Sequence, residues 1–443
     1  MQVKDVEKEK RLQSAAARLW HNRDFNIFWL GQTLSVLGDA FATIAIPLLV
    51  LQATGSVAQM GLVTGTFGVG QLVAGIFAGA IVDRLDRRRL MIFCDTARVL
   101  LYLSIPLGWL WLGPQLWVIY VVVALGSCLG MVFQVAYVAA IPNMVERVQI
   151  SDANGRLQAS YSLSFVLGPI LAGLISARFG STFAISIDSL SFGISALSLL
   201  LIRFKHIPAR ISDVESLQEE IPVQVAAPQV PGKHNGIMGE LLAGLVFLWQ
   251  QPILRTLSIL LLLFTLFTAG ALDLFIFHLK HDLGQNDSAV GVIFGLASLG
   301  SLLAGIFFPL IRNRLGFGIC WIGGFFLSFI ALLLIGLSQQ PIVIALLAIL
   351  FTFSSVLAGM SSMSLRQQIT PDHLLGRVTS AFWTIGSAPG PLGAALFTAL
   401  TVKIGTPNVL LIIGSVGAVI SLTAILTPIR QRYPEKAALD LNP

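Results

Sequence analysis

The sequence predicts an all-α membrane protein, with twelve transmembrane helices in two parallel six-helix repeats. Three observations lead there. The chain carries too little charge to cover a water-facing surface, it holds twelve apolar runs of spanning length, and its two halves repeat one another.

Of the 443 residues, 55% are hydrophobic and 11% charged, with a mean hydropathy of +0.83. A soluble globular chain carries roughly 25% charged residues, so most of this exterior must face lipid. The 41 glycines fit that setting, because small residues let membrane helices approach closely. Cys94, Cys128 and Cys320 sit in apolar runs without the spacing of a disulfide or metal site. No metal and no cofactor is expected.

The apolar runs cover residues 26–52, 60–82, 90–112, 115–141, 158–178, 181–203, 253–279, 286–311, 317–337, 341–365, 378–401 and 406–428. If the N-terminus is cytoplasmic, 24 of the 28 lysines and arginines fall on the cytoplasmic side. Three fall outside (Arg178, Lys280 and Lys403), and Arg98 lies within the third run. Positive charge favours the cytoplasmic side, so both termini are expected there, in a multi-pass protein of the cell membrane. The net charge of +6 is then a topology signal, and no nucleic-acid partner is expected. The Ala15-Ala16-Ala17 stretch precedes the first apolar run, whereas a signal cleavage site follows one. The first run is therefore expected to remain as an anchor.

The division follows from the one long polar break. Residues 1–25 form a cytoplasmic segment, 26–203 a first six-helix bundle, 204–252 a cytoplasmic linker, 253–428 a second bundle and 429–443 a cytoplasmic tail. The linker holds Pro208, Pro222, Pro228 and Pro231 with Asp213, Glu215, Glu219 and Glu220, the composition of a flexible connection. Its last part, Gly236 to Gln250, is amphipathic and suits the membrane surface.

Shifting the chain by 230 residues lays Gly61–Leu85 over Gly291–Leu315 with 11 of 25 positions identical. Gly61/Gly291, Gly65/Gly295, Gly70/Gly300 and Gly75/Gly305 are in register. A fainter echo pairs Gly155-Arg156 and Gly168-Pro169 in the fifth run with Gly376-Arg377 and Gly390-Pro391 in the eleventh. Parallel repeats about an axis along the membrane normal are a recurring transporter plan, with substrate bound between the halves.

The sharpest local signal follows the second run: Gly79, Asp83, Arg84, Asp86, Arg87, Arg88 and Arg89 close a short cytoplasmic turn. An acid at a helix end can pair with an arginine or with the N-terminus of another helix. A contact made in one conformation and broken in another is a latch. The plain alternative, a positive-inside loop, explains the arginines but not Gly79 or the acids.

At this turn the chain resembles the major facilitator superfamily, whose signature G-x-x-x-D-R-x-x-R-R is matched by Gly79, Asp83, Arg84, Arg87 and Arg88. A degenerate copy, Asn313-Arg314-Leu315-Gly316, separates the eighth and ninth runs. The resemblance implies the major facilitator fold over the whole twelve-run plan. Asp86 stands where many members have glycine and Asn313 has lost the acid, so an asymmetric latch is expected. Gly168, Pro169 and Gly173 resemble a reduced form of the Gly-Pro motif of exporters in this superfamily. The fourth run lacks the arginine of the drug/proton antiporter pattern, so any proton coupling needs another group. Gly38-Asp39, Asp95 with Arg98, and Asp188 give a further similarity to the bacterial macrolide-efflux and siderophore-exporter branch.

Ionisable groups at membrane depth are costly and usually functional. Asp39, Asp188 and Asp273 lie well inside apolar runs, and are the candidates for coupling or substrate contact against the plainer reading of structural acids. Asp39 lies about 13 residues into the first run, ~20 Å at about 1.5 Å per residue, near mid-membrane. Asp95 and Arg98, three apart, suit a local structural ion pair near the cytoplasmic end of the third run. Gln32, Gln71, Gln134, Tyr137 and Trp383 offer amide and aromatic contacts for an amphipathic organic ligand.

These readings converge on a secondary transporter, not an enzyme. The expected role is export of hydrophobic or amphipathic small molecules of drug, macrolide or siderophore-like kind, coupled to protons by alternating access. The partners are then a small-molecule substrate, protons and membrane lipids, with a monomer favoured. Uptake of a polar solute and lipid flipping by the same fold are the alternatives. No G-x-x-x-x-G-K-[ST] loop is present, which argues against direct ATP use. The six histidines are not clustered, which argues against a membrane-embedded enzyme.

Overall fold

An apolar run in lipid has to satisfy its own backbone hydrogen bonds, and a helix does so within one segment. The computed structural model describes residues 19, 21–145, 149–202, 237–370 and 372–434. Most of the expected linker and the outer parts of both terminal segments lie outside the described residues. Among the described residues, eleven helices are long and apolar enough to cross a membrane, and no strand occurs.

One of the eleven supplies two crossings. The 51-residue helix Asp287–Leu337 turns at Gly316, where φ is 80° and ψ 179°. That left-handed conformation is open to glycine and strained for other residues. The freed amides are met by the segment after the last span: Phe317 N donates to the Arg432 carbonyl at 2.9 Å and Gly318 N to that of Gln431 at 3.1 Å. The Arg432 guanidinium in turn donates to the Arg314 carbonyl at 2.7 Å. The expected eighth and ninth runs are thus present, and the loop between them has shrunk to a single residue.

Counted this way the described residues form twelve spans: Arg23–Thr54, Val57–Arg84, Arg87–Leu112, Leu116–Ala140, Ile150–Phe179 and Ser181–Leu201 are spans 1 to 6. Span 7 is Pro252–Asp282, interrupted at Ala269 and Gly270 and ending in the π-helical turn His278–Asp282. Spans 8 and 9 are 287–315 and 317–337, and span 10 is Pro341–Ile369. Span 11 is split into Asp372–Ser387 and Gly390–Ile404, and span 12 is Thr406–Thr423 with a final turn Ala424–Leu426. The helix Ile237–Gln250 precedes span 7 and packs against the first part of span 11.

The glycine register expresses itself as packing. A Cβ on Gly70 would meet Ser127 and Ala124 of span 4, and one on Gly300 would meet Ile349 and Thr352 of span 10. Gly65 lies against Pro391 of span 11, and Gly295 against Ile170 of span 5. These two pairs of matched glycines therefore admit a close neighbour from their own half or from the opposite half. The turns between spans 5 and 6 and between 11 and 12 repeat too, at Gly180 (φ 88°) and Gly405 (φ 81°).

The contacts between the two sets of six spans concentrate at one end. Spans 2 and 11 touch at Gly61–Thr398 and Gly65–Pro391, and spans 5 and 8 at Gly173–Gly291. These lie away from the Arg84–Arg89 turn. The end that carries this turn is called here the basic side, and the other the outer side.

Candidate functional site

A seam of small residues sets the geometry of the site. Gly31 and Gly38 of span 1 face Ser198 and Ser191 of span 6 so closely that a Cβ would stand 2.2 and 2.1 Å from their hydroxyl oxygens. Gln32 Nε2 donates across the same seam to Ser195 Oγ at 2.8 Å. Close approach of these helices brings Asp39 next to Asp188, whose Oδ1 is 2.7 Å from where a Gly38 Cβ would be.

Arg98 of span 3 enters between them. Its Nη2 donates to Asp39 Oδ1 in a direct ion pair, and its Nη1 stands 4.0 Å from Asp95 Oδ1. The guanidinium lies over the Phe192 ring, with Cζ 3.6 Å from the centroid, one helical turn beyond Asp188. Asp95 and Asp188 are wholly buried. The Arg98 side chain is 7% exposed and that of Asp39 42%. Three carboxylates thus surround one guanidinium, and only Asp39 opens to solvent.

This adds to the local reading of Asp95 and Arg98, whose contact is kept at 4.0 Å. The main partner of Arg98 is in span 1, 59 residues away, and not its neighbour one turn back. Arg98 is also well inside the helix, because span 3 begins at Arg87, earlier than its apolar run. A signal was present: an arginine at that depth is as costly as an acid, and it demands a carboxylate at similar depth.

Beside the pair lies a cavity of about 1170 Å³. It reaches the basic ends of spans 4 and 5 at Ile141, Asn154 and Gly155, and the outer side is closed by the inter-half contacts above. Its walls carry Gln32, Gln71, Gln134 and Tyr137 together with Phe67 and Tyr161. Spans 1 to 5 supply almost the whole lining, and Leu272 of span 7 completes it. The volume is somewhat above the usual range of ligand pockets, roughly 300–1,000 Å³. Trp383 does not line this cavity. The first part of span 11 leans on the helix Ile237–Gln250, and Trp383 lies instead near the buried Arg366, 6.0 Å from ring centroid to Cζ.

Asp273 sits apart from the Arg98 cluster. It is wholly buried in the piece of span 7 after the Gly270 break, and the Thr64 hydroxyl of span 2 is the polar group beside it. Thr64 and Leu272 both line the cavity, so Asp273 stands behind its outer end. Farther out, Asp287 joins the two halves, pairing with Lys280 and accepting from Gln52 Nε2 of span 1 at 3.0 Å. His278 is buried near this corner, with Nδ1 2.8 Å from Asp282 Oδ2.

The signature turn is spread over helix ends. Gly79 has open space around it. Asp83 lies within span 2, and its side chain falls outside the described residues. Arg84 ends the helix, exposed. Asp86 caps span 3 by accepting from Arg89 N at 2.8 Å. Arg87 donates to the Ala139 carbonyl at 2.9 Å, and Arg88 to those of Leu199 and Leu200 at 2.8 Å. These two arginines satisfy the orphan carbonyls at the ends of spans 4 and 6, a structural use that spacing alone does not reveal. Gly168 packs on Ala40 of span 1, Pro169 lies inside span 5, and Gly173 packs on span 8.

The sequence profile described as Major Facilitator Superfamily matches residues 28–394. The chain is 26% identical over 368 residues to the multidrug efflux pump Tap of Mycolicibacterium fortuitum, covering 81% of this chain and 84% of that relative. It is 23% identical over 377 residues to the enterobactin exporter EntS of Escherichia coli O1:K1 / APEC, covering 85% of each. Among solved structures it is similar in fold to the nucleoside transporter NupG, with a TM-score of 0.69 at 13% identity, covering 91% of this chain and 98% of that one.

Proposed function

We propose, for a chain that belongs to the Major Facilitator Superfamily, a proton-coupled exporter of hydrophobic or amphipathic organic molecules. The observation that carries this reading is the cavity beside the Asp39–Arg98 pair, large, aromatic and amide-lined, and open towards the basic side. The distribution of arginine and lysine supports a cytoplasmic position for that side, where an exporter has to load. The relatives named as a multidrug efflux pump and an enterobactin exporter agree with the direction and with a bulky organic substrate.

Residues 26–203 and 253–428 then act as two bundles that rock about the cavity, joined by the linker 204–252, in a monomer. Gly173 and Pro169 in span 5 provide the close outer contact. When the outer contacts open and the basic side closes, Asp83 latches the closed basic side, with Gly79 and the arginines shaping the turn. Asp39 is the cavity-facing acid that couples transport to protons, since span 4 contains no charged residue. Asp273, behind the outer end of the cavity, is the next acid to consider.

The test is growth inhibition by a compound panel in cells lacking their major exporters, with and without this protein. Export predicts raised tolerance to a subset of bulky amphipathic compounds, lost on dissipating the proton gradient. Unchanged tolerance across the panel at verified expression, or increased sensitivity, rules against the proposal.

A further inference from the structure

Asp188 is the carboxylate that the export reading leaves without a task. It is wholly buried, and neither side-chain oxygen accepts a hydrogen bond in the geometry seen. The neighbouring Ser191 hydroxyl donates to the Asp188 backbone carbonyl at 2.7 Å. An ionised carboxylate in that position would be very costly, because neither solvent nor a hydrogen bond compensates it. The ionisable groups that face it are Asp39 from span 1 and Arg98 and Tyr102 from span 3. Span 5, also packed on span 6, brings no ionisable side chain to it among the described residues. Asp95 faces Arg98 from its other side.

Arg98 has the freedom to serve it. Its Nη2 is committed to Asp39, but its Nε has no acceptor. The guanidinium rests on the flat face of Phe192, four residues after Asp188 on the same helix. Sliding along that ring exchanges one carboxylate for the other without exposing the cation to lipid.

We infer that Asp39 and Asp188 are alternative partners of Arg98, and that Asp188 is a hidden proton site whose occupancy is the inverse of the charge on Asp39. The inference rests on the reading of the adjoining cavity as the transport site. With Arg98 on Asp39, Asp188 holds a proton. When Asp39 is neutralised from the cavity, the buried guanidinium keeps only the 4.0 Å contact to Asp95, and losing the partner of its direct pair is strongly destabilising. Arg98 then turns to Asp188, whose O–H bond breaks, and the carboxylate formed pairs with the guanidinium. The proton released by Asp188 leaves to cavity water through the opening at Asp39. If Asp39 is neutralised by the cationic group of a substrate, one proton leaves for each monovalent cation bound, and the cluster keeps its total charge.

Infrared spectroscopy of the purified full chain in lipid nanodiscs tests this without any transported compound. The C=O stretch of a protonated buried carboxyl group is read as a difference between wild type and variants. Asp188→Asn should lack one such band. Asp39→Asn should lack the same band, because Arg98 has moved to Asp188. Asp39→Asn combined with Arg98→Gln should regain it in full, which a merely structural acid would not do. Asp39→Ser serves the same purpose if Asp39→Asn does not yield folded protein. A band absent from the wild type, or one that persists when Asp39 is neutralised, overturns the inference. The compound panel decides the export reading separately, so one can fail while the other stands.

Discussion

Gly173 of span 5 and Gly291 of span 8 meet backbone to backbone: a Cβ on Gly173 would lie 2.6 Å from the Gly291 Cα, and one on Gly291 2.4 Å from the Pro169 carbonyl oxygen. No side chain other than hydrogen fits on either residue while the outer side is closed. The contact joins the two halves at the outer side, together with Gly61–Thr398 and Gly65–Pro391.

Gly291→Leu should therefore shift the protein away from the outer-closed state. Forcing extra methylenes into a tight contact costs about 1–3 kcal/mol, enough to move a two-state equilibrium by about 5–150-fold. A cysteine placed at Gln52 in a background lacking Cys94, Cys128 and Cys320 should label faster from the outer side, and transport should fall. Unchanged labelling and transport would show that this contact does not close the outer side.

Asp39→Asn should abolish gradient-driven accumulation while downhill exchange of an uncharged substrate continues. The measurement is transport in proteoliposomes with and without an imposed pH gradient. Uphill transport at wild-type rate by the variant would make Asp39 structural, and Asp188 and then Asp273 would become the coupling candidates.

Asp83→Asn should lower transport strongly, within the roughly 5–150-fold range of a coupling free energy of 1–3 kcal/mol, while insertion and substrate binding are kept. Near-normal transport by a well-expressed variant removes the latch. Arg88→Ala should behave differently. It frees the carbonyls of Leu199 and Leu200, the latter exposed, so its main effect should be on thermal stability, at about 0.5–1.5 kcal/mol per hydrogen bond lost.

The side of the membrane is checked by reporters. One fused after Pro443 or inserted near Pro228 should be cytoplasmic, and one near Asp282 external. A reporter near Asp282 reachable only from the cytoplasm would invert the orientation and with it the direction in which the cavity loads.

The sequence by itself determined that the chain is helical and lipid-facing, how many times it crosses, and which glycines correspond between the halves. These properties depend on local composition and on spacing along one helix, and both can be read from the order of residues. The residues of the Arg98 cluster were legible one by one, because a charge at membrane depth stands out in an apolar run. Their relationship was not. Asp39, Arg98 and Asp188 lie in three different spans, and sequence spacing pairs Arg98 with Asp95. Only the tertiary structure decided that Gly31 and Gly38 draw span 6 onto span 1, so that Asp39, paired with Arg98, stands next to Asp188. It also decided that Arg87 and Arg88 cap the ends of other helices, and that Trp383 stays out of the cavity because the break in span 11 seats its first part on the helix Ile237–Gln250. Which face of a helix meets which neighbour depends on the packing of all the spans at once, and no window along the chain contains that information.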